Sequence, residues 1–296
     1  MENMDIAPLV LTGGAILSED IGSYPSGIII PVDKPYRWTS ADVIRKIKFA
    51  AVRHFGKKNL KVGHAGTLDP LATGILLVCI GKATKLAEIL QSHDKEYIAG
   101  ITFGATTPSY DREKEIDRFF PYSHITAEAV EQAAASFTGE QEQIAPLFSA
   151  KSVEGVRAYE IARKMMKQNG GEGIDETAAA LVRSSRIRID SIELLDFIPP
   201  AAPGTCMTQE NSSVTLSAEQ GKDAKINVTD NSALGLPKAI LRINCSKGTY
   251  IRALARDLGE ALGSGAHLDS LQRSRSGDFR IKDALSLEEV LDILKK

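Results

Sequence analysis

Apolar residues in this chain fall into short runs whose spacing predicts a mixture of strands and helices. Residues 27–32, Gly-Ile-Ile-Ile-Pro-Val, form a continuous apolar run before the turn Asp33-Lys34-Pro35, as a buried strand would. Residues 75–80 read the same way, and residues 97–103 alternate in part as a strand does. Val43, Ile44, Ile47, Ala51 and Phe55 recur near helical spacing, so Ser40 is expected to cap a helix reaching about residue 55. Further helices are expected over 83–90, from a Thr126 cap to 137, over 250–262 with an end at Gly263, and around 285–289. Arg186-Ile187-Arg188-Ile189 and residues 241–245 predict two more strands. Strands and helices intermix without regular βαβ alternation. The expected class is therefore α+β, with a mixed, largely antiparallel sheet flanked by helices.

The same pattern divides the chain. Residues 1–24 are expected to be a loosely ordered N-terminal extension, and 25–296 one domain with two excursions. Residues 145–173 open with Pro146-Leu147-Phe148-Ser149-Ala150-Lys151, carry a charged helix over 157–167 and reach the flexible Asn169-Gly170-Gly171. They are expected to be mobile. Residues 199–237, polar and rich in Ser, Thr, Ala and Gly, read as an inserted loop or small β-excursion.

Composition changes this picture only locally. A chain of 296 residues with 43% hydrophobic and 25% charged residues is ordinary for a globular protein. The net charge of -2 points to no polyanion. Yet Arg45, Lys46, Lys48, Arg53, Lys57, Lys58 and Lys61 follow one another with no acid between them. Such a run is a solvated face or a phosphate-binding surface. Cys79, Cys206 and Cys245 have no metal-site spacing and suggest a reducing compartment. The start of the chain lacks a signal peptide, and no apolar run approaches the ~20 residues that span a bilayer. A cytoplasmic location without membrane attachment is expected.

The chemistry concentrates in residues 63–74, Gly-His-Ala-Gly-Thr-Leu-Asp-Pro-Leu-Ala-Thr-Gly. Glycines and a proline make this a rigid loop feeding the strand over 75–80. It presents one carboxylate, Asp69. An Asp before Pro also serves as a plain turn residue, and the loop alone leaves both uses open. Gly81-Lys82 fails as a phosphate loop, since Leu76 and Ala83 stand where Gly and Ser or Thr are needed. No dinucleotide fingerprint and no metal-ligand spacing occur, so neither a cofactor nor a metal is expected.

The loop resembles the signature of the TruB family, the tRNA pseudouridine-55 synthases. Other segments resemble that family in the same order: Val32-Asp33-Lys34-Pro35 with Thr39-Ser40; Lys95-Glu96-Tyr97; Ser149-Ala150-Lys151 through Gly155-Val156-Arg157-Ala158-Tyr159 to Ala162-Arg163; Cys245-Ser246-Lys247-Gly248-Thr249-Tyr250-Ile251-Arg252; and Gly265-Ala266-His267-Leu268 through Leu271-Gln272-Arg273. The resemblance implies the pseudouridine synthase fold and isomerisation of uridine at position 55 in the T-loop of tRNA. That reaction breaks N1–C1′ and joins C5 to C1′ without net redox change. The resemblance implies Asp69 as nucleophile, with Arg252 its cationic partner and Tyr97 lying on the target uracil. It implies that Tyr250 and Leu271 complete the pocket wall and that His64 occupies the space left by the flipped base. Lys34 is a structural residue or a phosphate contact rather than a catalytic group. The partner that the resemblance implies is the tRNA T-stem-loop, expected to be held by the basic run 45–61 and by a thumb at 145–173. A monomer is expected.

Ala145 and Leu147 depart from the family's more usual Pro-Pro-x-Tyr context. The chain is also expected to lack a complete C-terminal PUA domain. The competing readings are a guide-RNA-dependent, dyskerin-like synthase and a non-catalytic tRNA-binding or tRNA-folding protein on the same scaffold.

Overall fold

The computed structural model describes residues 7–149, 151–153, 155–169, 177, 180–182, 184–201, 226 and 228–295. The strands are, in chain order, β1 (Leu9–Val10), β2 (Ile28–Lys34), β3 (Val62–Ala65), β4 (Ala72–Ile80), β5 (Lys95–Phe103), β6 (Ala105–Thr106), β7 (Arg118–Phe119) and β8 (Gly139–Gln143). They continue as β9 (Ser152–Val153), β10 (Val156–Arg157), β11 (Ser185–Ile198), β12 (Lys238–Cys245), β13 (Ala266–Ser276), β14 (Phe279–Arg280) and β15 (Leu285–Ser286). The helices are α1 (Ser40–His54), α2 (Ala87–Ser92), α3 (Ala127–Ala135), α4 (Ala158–Asn169), α5 (Ile251–Ala261) and α6 (Leu287–Ile293). The chain forms two compact units: Met1–Tyr97 with Gln272–Lys296, and Ile98–Leu271.

In the first unit β2 pairs antiparallel with β4, Val32 opposite Leu76. Its other edge carries β1 and β15, both parallel, with Leu9 opposite Ile28 and Leu285 opposite Val32. β3 pairs antiparallel with β4, His64 opposite Val78. The run over 75–80 is apolar throughout because β4 is buried along its length. Ile29, Ala65, Ile75, Leu77 and Cys79 pack there against Ala83 and Leu90. Each fully buried Ile or Leu contributes about 1.5–3 kcal/mol. Burial also pushes the Cys79 thiol up to about 11, so it stays protonated and acts as a small apolar side chain.

Three expectations in this unit need correction. The segment read as a loosely ordered extension is folded from residue 7 onward: β1 covers the edge of β2, and Leu11 and Leu17 are buried. The Leu9 and Leu11 amides donate to the Gly27 and Ile29 carbonyls, a main-chain attachment that no side-chain period announces. The cap of α1 is Thr39, not Ser40. Thr39 accepts from the Asp42 amide while the Asp42 carboxylate accepts from the Thr39 amide, a reciprocal capping box. The helix expected over 83–90 is a 3-10 turn, Gly81–Leu86, leading into α2.

In the second unit β11 lies between β8 and β12, antiparallel to both, with Ile187 opposite Gln141 and Leu194 opposite Leu241. β11 runs well beyond the alternating residues 186–189. Register shifts near Ile189 and Leu194 break its period and hide the remainder from pattern reading. α3, capped by Thr126 as expected, packs on β11. β9 and β10 form a hairpin around Gly155, whose φ of +85° suits glycine, and lead into α4. Ala145, Leu147, Ala158, Ala162 and Val182 make a small separate core with Phe148, Met165 and Tyr250. Residues 170–173, and most of the segment 199–237, lie outside the described residues. The fold is mixed α/β with a largely antiparallel sheet flanked by helices. Among the described residues no helix is long and apolar enough to cross a membrane.

Candidate active site

Asp69 stands in the loop from β3 to β4, half-buried, with its main chain gripped on both sides. The Ser40 hydroxyl accepts from the Leu68 amide at 2.9 Å and donates to the Leu68 carbonyl at 3.1 Å. Because Thr39 caps α1, the Ser40 hydroxyl is free of that duty. The Pro70 carbonyl accepts from the Arg37 amide at 3.0 Å and from Lys34 Nζ at 3.2 Å. Lys34 is wholly buried and also donates to the carbonyls of Pro35, at 2.8 Å, and Trp38, at 2.6 Å. Arg273, equally buried, donates through Nε to Ile75 O at 2.7 Å and through Nη2 to Gly66 O at 3.2 Å. The Asp69 carbonyl accepts from the Ala72 amide at 3.1 Å, and the Asp33 carboxylate accepts from the Gly74 amide at 3.0 Å. Gly74 has φ +96°, and a Cβ there would lie 2.3 Å from the Arg273 carbonyl, so only glycine permits this approach.

This holding carries charge into a dry place. Burial lowers the Lys34 pKa from 10.5 to about 8, against the opposing attraction of the Asp69 and Asp33 carboxylates. Three carbonyl acceptors satisfy the ammonium that burial penalises. His64, half-buried on β3, is held below its ordinary pKa by burial and then by the Arg273 guanidinium. Its imidazole is neutral at neutral pH. Tyr97, on β5, is buried in the same unit, so this unit contains Asp69, His64, Lys34 and Tyr97.

Arg252, Tyr250 and Leu271 belong to the second unit. Arg252 lies in the first turn of α5 and is buried. Its Nη1 donates to Ser109 O at 3.1 Å and lies 3.6 Å from the Asp111 carboxylate, while Nη2 donates to Phe148 O at 2.9 Å. Asp111 in turn accepts from the Ser109 hydroxyl at 2.6 Å and the Glu113 amide at 2.9 Å. Tyr110, just before it, adopts φ +55°, a conformation costly for an aromatic residue. Gln143 grips the Tyr250 main chain from both sides, accepting from its amide at 2.8 Å and donating to its carbonyl at 3.2 Å. Leu271 is half-buried near the end of the unit.

Reading the chain alone missed Asp111, Gln143 and the holding role of Ser40 and Arg273. The turn Thr107-Pro108-Ser109-Tyr110-Asp111 does combine turn formers with a carboxylate, which is the one signal available for Asp111. Among the described residues no group of three or more His, Cys, Asp or Glu is placed to hold a metal ion.

Known proteins with similar sequences point one way. Residues 53–214 match the family described as TruB family pseudouridylate synthase (N terminal domain), and 252–296 match the tRNA pseudouridylate synthase B C-terminal domain. The tRNA pseudouridine synthase B of Phocaeicola vulgatus is 46% identical over 266 residues, covering 90% of this chain and 92% of that one. The protein of the same name from Parabacteroides distasonis is 42% identical over 271 residues, covering 92% and 94%. Among solved structures, one of a Cbf5-Nop10-Gar1 complex aligns with a TM-score of 0.56 at 23% identity. The alignment covers 97% of this chain but 64% of that one, and at such identity the likeness is one of fold. With the first family match spanning more than half of its length, the chain belongs to the TruB family of pseudouridylate synthases.

Proposed function

We propose that this protein converts uridine 55 in the T-loop of tRNA to pseudouridine, with Asp69 as the catalytic carboxylate. The observation that carries the reading is the hold on the Asp69 loop: main-chain bonds from Ser40, Lys34, Arg37 and Arg273 leave the aspartate the one carboxylate presented by an otherwise clamped loop. Catalysis by a fixed charge gains from such preorganisation, because the group needs no reorientation when the reaction begins. The relatives named tRNA pseudouridine synthase B support tRNA as the substrate.

In this reading the uridine leaves the base stack and Asp69 acts where N1 parts from C1′. The base turns, C5 bonds to C1′, the C5 proton departs and N1 gains a proton. Tyr97, Arg252, His64, Tyr250 and Leu271 keep the parts that the sequence motifs imply for them. Lys34 is assigned to holding the loop. The basic run on α1 and the hairpin-helix over 152–169 contact RNA phosphates. Cys79 and Cys245 are buried thiols, which accords with action in the cytoplasm.

The test is conversion of an unmodified tRNA transcript, followed by tritium release from labelled uridine C5. Wild-type protein should form pseudouridine at position 55. Asp69→Asn should lose at least about 10³-fold in turnover, as loss of a nucleophile does, while still binding the transcript. Turnover retained by the variant would remove Asp69 from the reaction.

A further inference from the structure

The first unit contains a cavity of about 750 Å³ that the reaction above does not use. Its walls include Tyr36, Trp38, Lys46, Thr73, Gln272 and Glu288. Its volume lies within the roughly 300–1,000 Å³ of ordinary small-ligand sites. The cavity adjoins the Asp69 loop: Thr73 follows that loop, and the turn carrying Tyr36 and Trp38 supplies the Arg37 amide that holds Pro70. At the centre of that turn Arg37 adopts φ +63°, which disfavours any side chain. Backbone strain of this kind persists where the surroundings require it, often at binding sites. Here it stands between two aromatic residues that both line the cavity.

We propose that this cavity is a subsite for a second unpaired nucleotide of the RNA substrate, one whose base carries an exocyclic amino group. The proposal rests on the tRNA reading above. Flat aromatic faces bind bases whatever their identity, and Trp38 with Tyr36 offers two. Lys46, on the exposed face of α1, meets the phosphate of that nucleotide as a point charge. Thr73 and Gln272 can donate to or accept from a base edge. Glu288 as a carboxylate only accepts, so it pairs with an exocyclic amino group, which adenine, cytosine and guanine carry and uracil lacks. Lys34 and Asp33 also line the cavity but are bonded to main-chain groups of the loop and its flanks, which leaves Lys46 and Glu288 as the charged groups for a ligand. Stacking faces with a cation and an acceptor-only group fit a nucleotide better than a bare anion.

Trp38 is the single tryptophan of the chain, so its emission reports on this cavity directly. The experiment titrates Asp69→Asn protein with a tRNA T-arm stem-loop, following Trp38 emission and the anisotropy of end-labelled RNA together. The expected result is quenching that tracks binding and that disappears when one loop position other than the target uridine is made abasic. Tyr36→Ala and Trp38→Ala should each raise the KM of otherwise wild-type protein about tenfold, the scale of one lost base stack. Lys46→Ala, an exposed substitution with little risk to folding, should weaken binding with a shallower salt dependence. Saturation by RNA with unchanged emission would overturn the proposal, as would quenching that survives every abasic substitution. Equal quenching by AMP or CMP alone would make the cavity a free-nucleotide site and overturn the assignment to RNA. Pseudouridine formation by wild-type protein on the same stem-loop separates the two readings. Product with a silent Trp38 sinks the subsite alone, whereas no product and no binding sinks both.

Discussion

Around Asp69 two buried cations hold the main chain of the surrounding loop, whereas at Arg252 the buried cation is the candidate residue itself. It is Lys34 and Arg273 that bond to the carbonyls of Pro70, Gly66 and Ile75. Arg252 must hold the carbonyls of Ser109 and Phe148 with its own guanidinium, and a second carboxylate, Asp111, offsets its charge. The difference separates two kinds of vulnerability. The loop can be loosened without touching Asp69, so position and chemistry are separable there. Arg252 cannot be replaced without releasing Phe148, so position and chemistry are joined. Lysine would not substitute for it, since one ammonium cannot reproduce two diverging guanidinium donors.

The largest expected effect is at Arg273. Arg273→Met keeps volume but strips the bonds from two carbonyls beside a buried strand. Unsatisfied buried acceptors cost about 1–3 kcal/mol each, so unfolding should become easier by about 4 kcal/mol. Turnover of the remaining folded protein should fall as well. Denaturant unfolding with a parallel activity assay checks this; unchanged stability would mean that the loop does not depend on the guanidinium.

Lys34 should show the next largest effect, and its dependence on pH has a definite sign. The folded chain releases this proton near pH 8 and the unfolded chain near 10.5. Between those values the unfolded chain binds more protons, so folding stability attributable to Lys34 rises with pH across that window. Below about pH 8 both states are charged, and the folded chain carries the full cost of the buried ammonium. At about 1.4 kcal/mol per pH unit the rise amounts to about 3 kcal/mol. Lys34→Met should lack it, which urea midpoints of both proteins at about pH 7.5 and pH 10 would reveal. Parallel pH profiles would contradict the assigned pKa.

Asp111→Asn should have the smallest effect on stability and the sharpest on the comparison. The amide keeps the shape but removes the charge opposite Arg252. Breaking a buried pair costs about 3–5 kcal/mol, and less where carbonyls still bind the cation, so about 2 kcal/mol is expected. If Arg252 needs Asp111 for position, kcat should fall while RNA affinity stays. If affinity falls with kcat unchanged, Arg252 is an RNA contact, and the contrast with the Asp69 loop disappears.

Much of the frame is readable from the residues because burial writes itself into runs and periods. The strand β4, the helix α1 and the Asp69 loop all carry such signals. The anchors do not. Lysine and arginine usually lie at the surface, so Lys34 and Arg273 gave no sign that they are wholly buried. Thr39 and Ser40 are equivalent as caps by residue type, and only the geometry assigns the cap to one and the loop to the other. Asp111 sits in an aperiodic turn, and its pairing with Arg252 joins positions 141 residues apart in sequence, beyond any local pattern.

β2 has one edge completed by β4 along its full length and the other completed in two instalments, by β1 at Ile28 and Ile29 and by β15 at Val32 and Asp33. During synthesis the first instalment is available at once, while the second waits for Leu285, 253 residues after Val32, to leave the ribosome. The strand that carries Asp33 and Lys34 therefore keeps an open flank through most of translation. A chain stopped before Leu285 would leave main-chain donors and acceptors bare beside the Asp69 loop. The register of β2 thus ties the flank of the strand beside the loop to a segment 253 residues further along the chain, Leu285 opposite Val32.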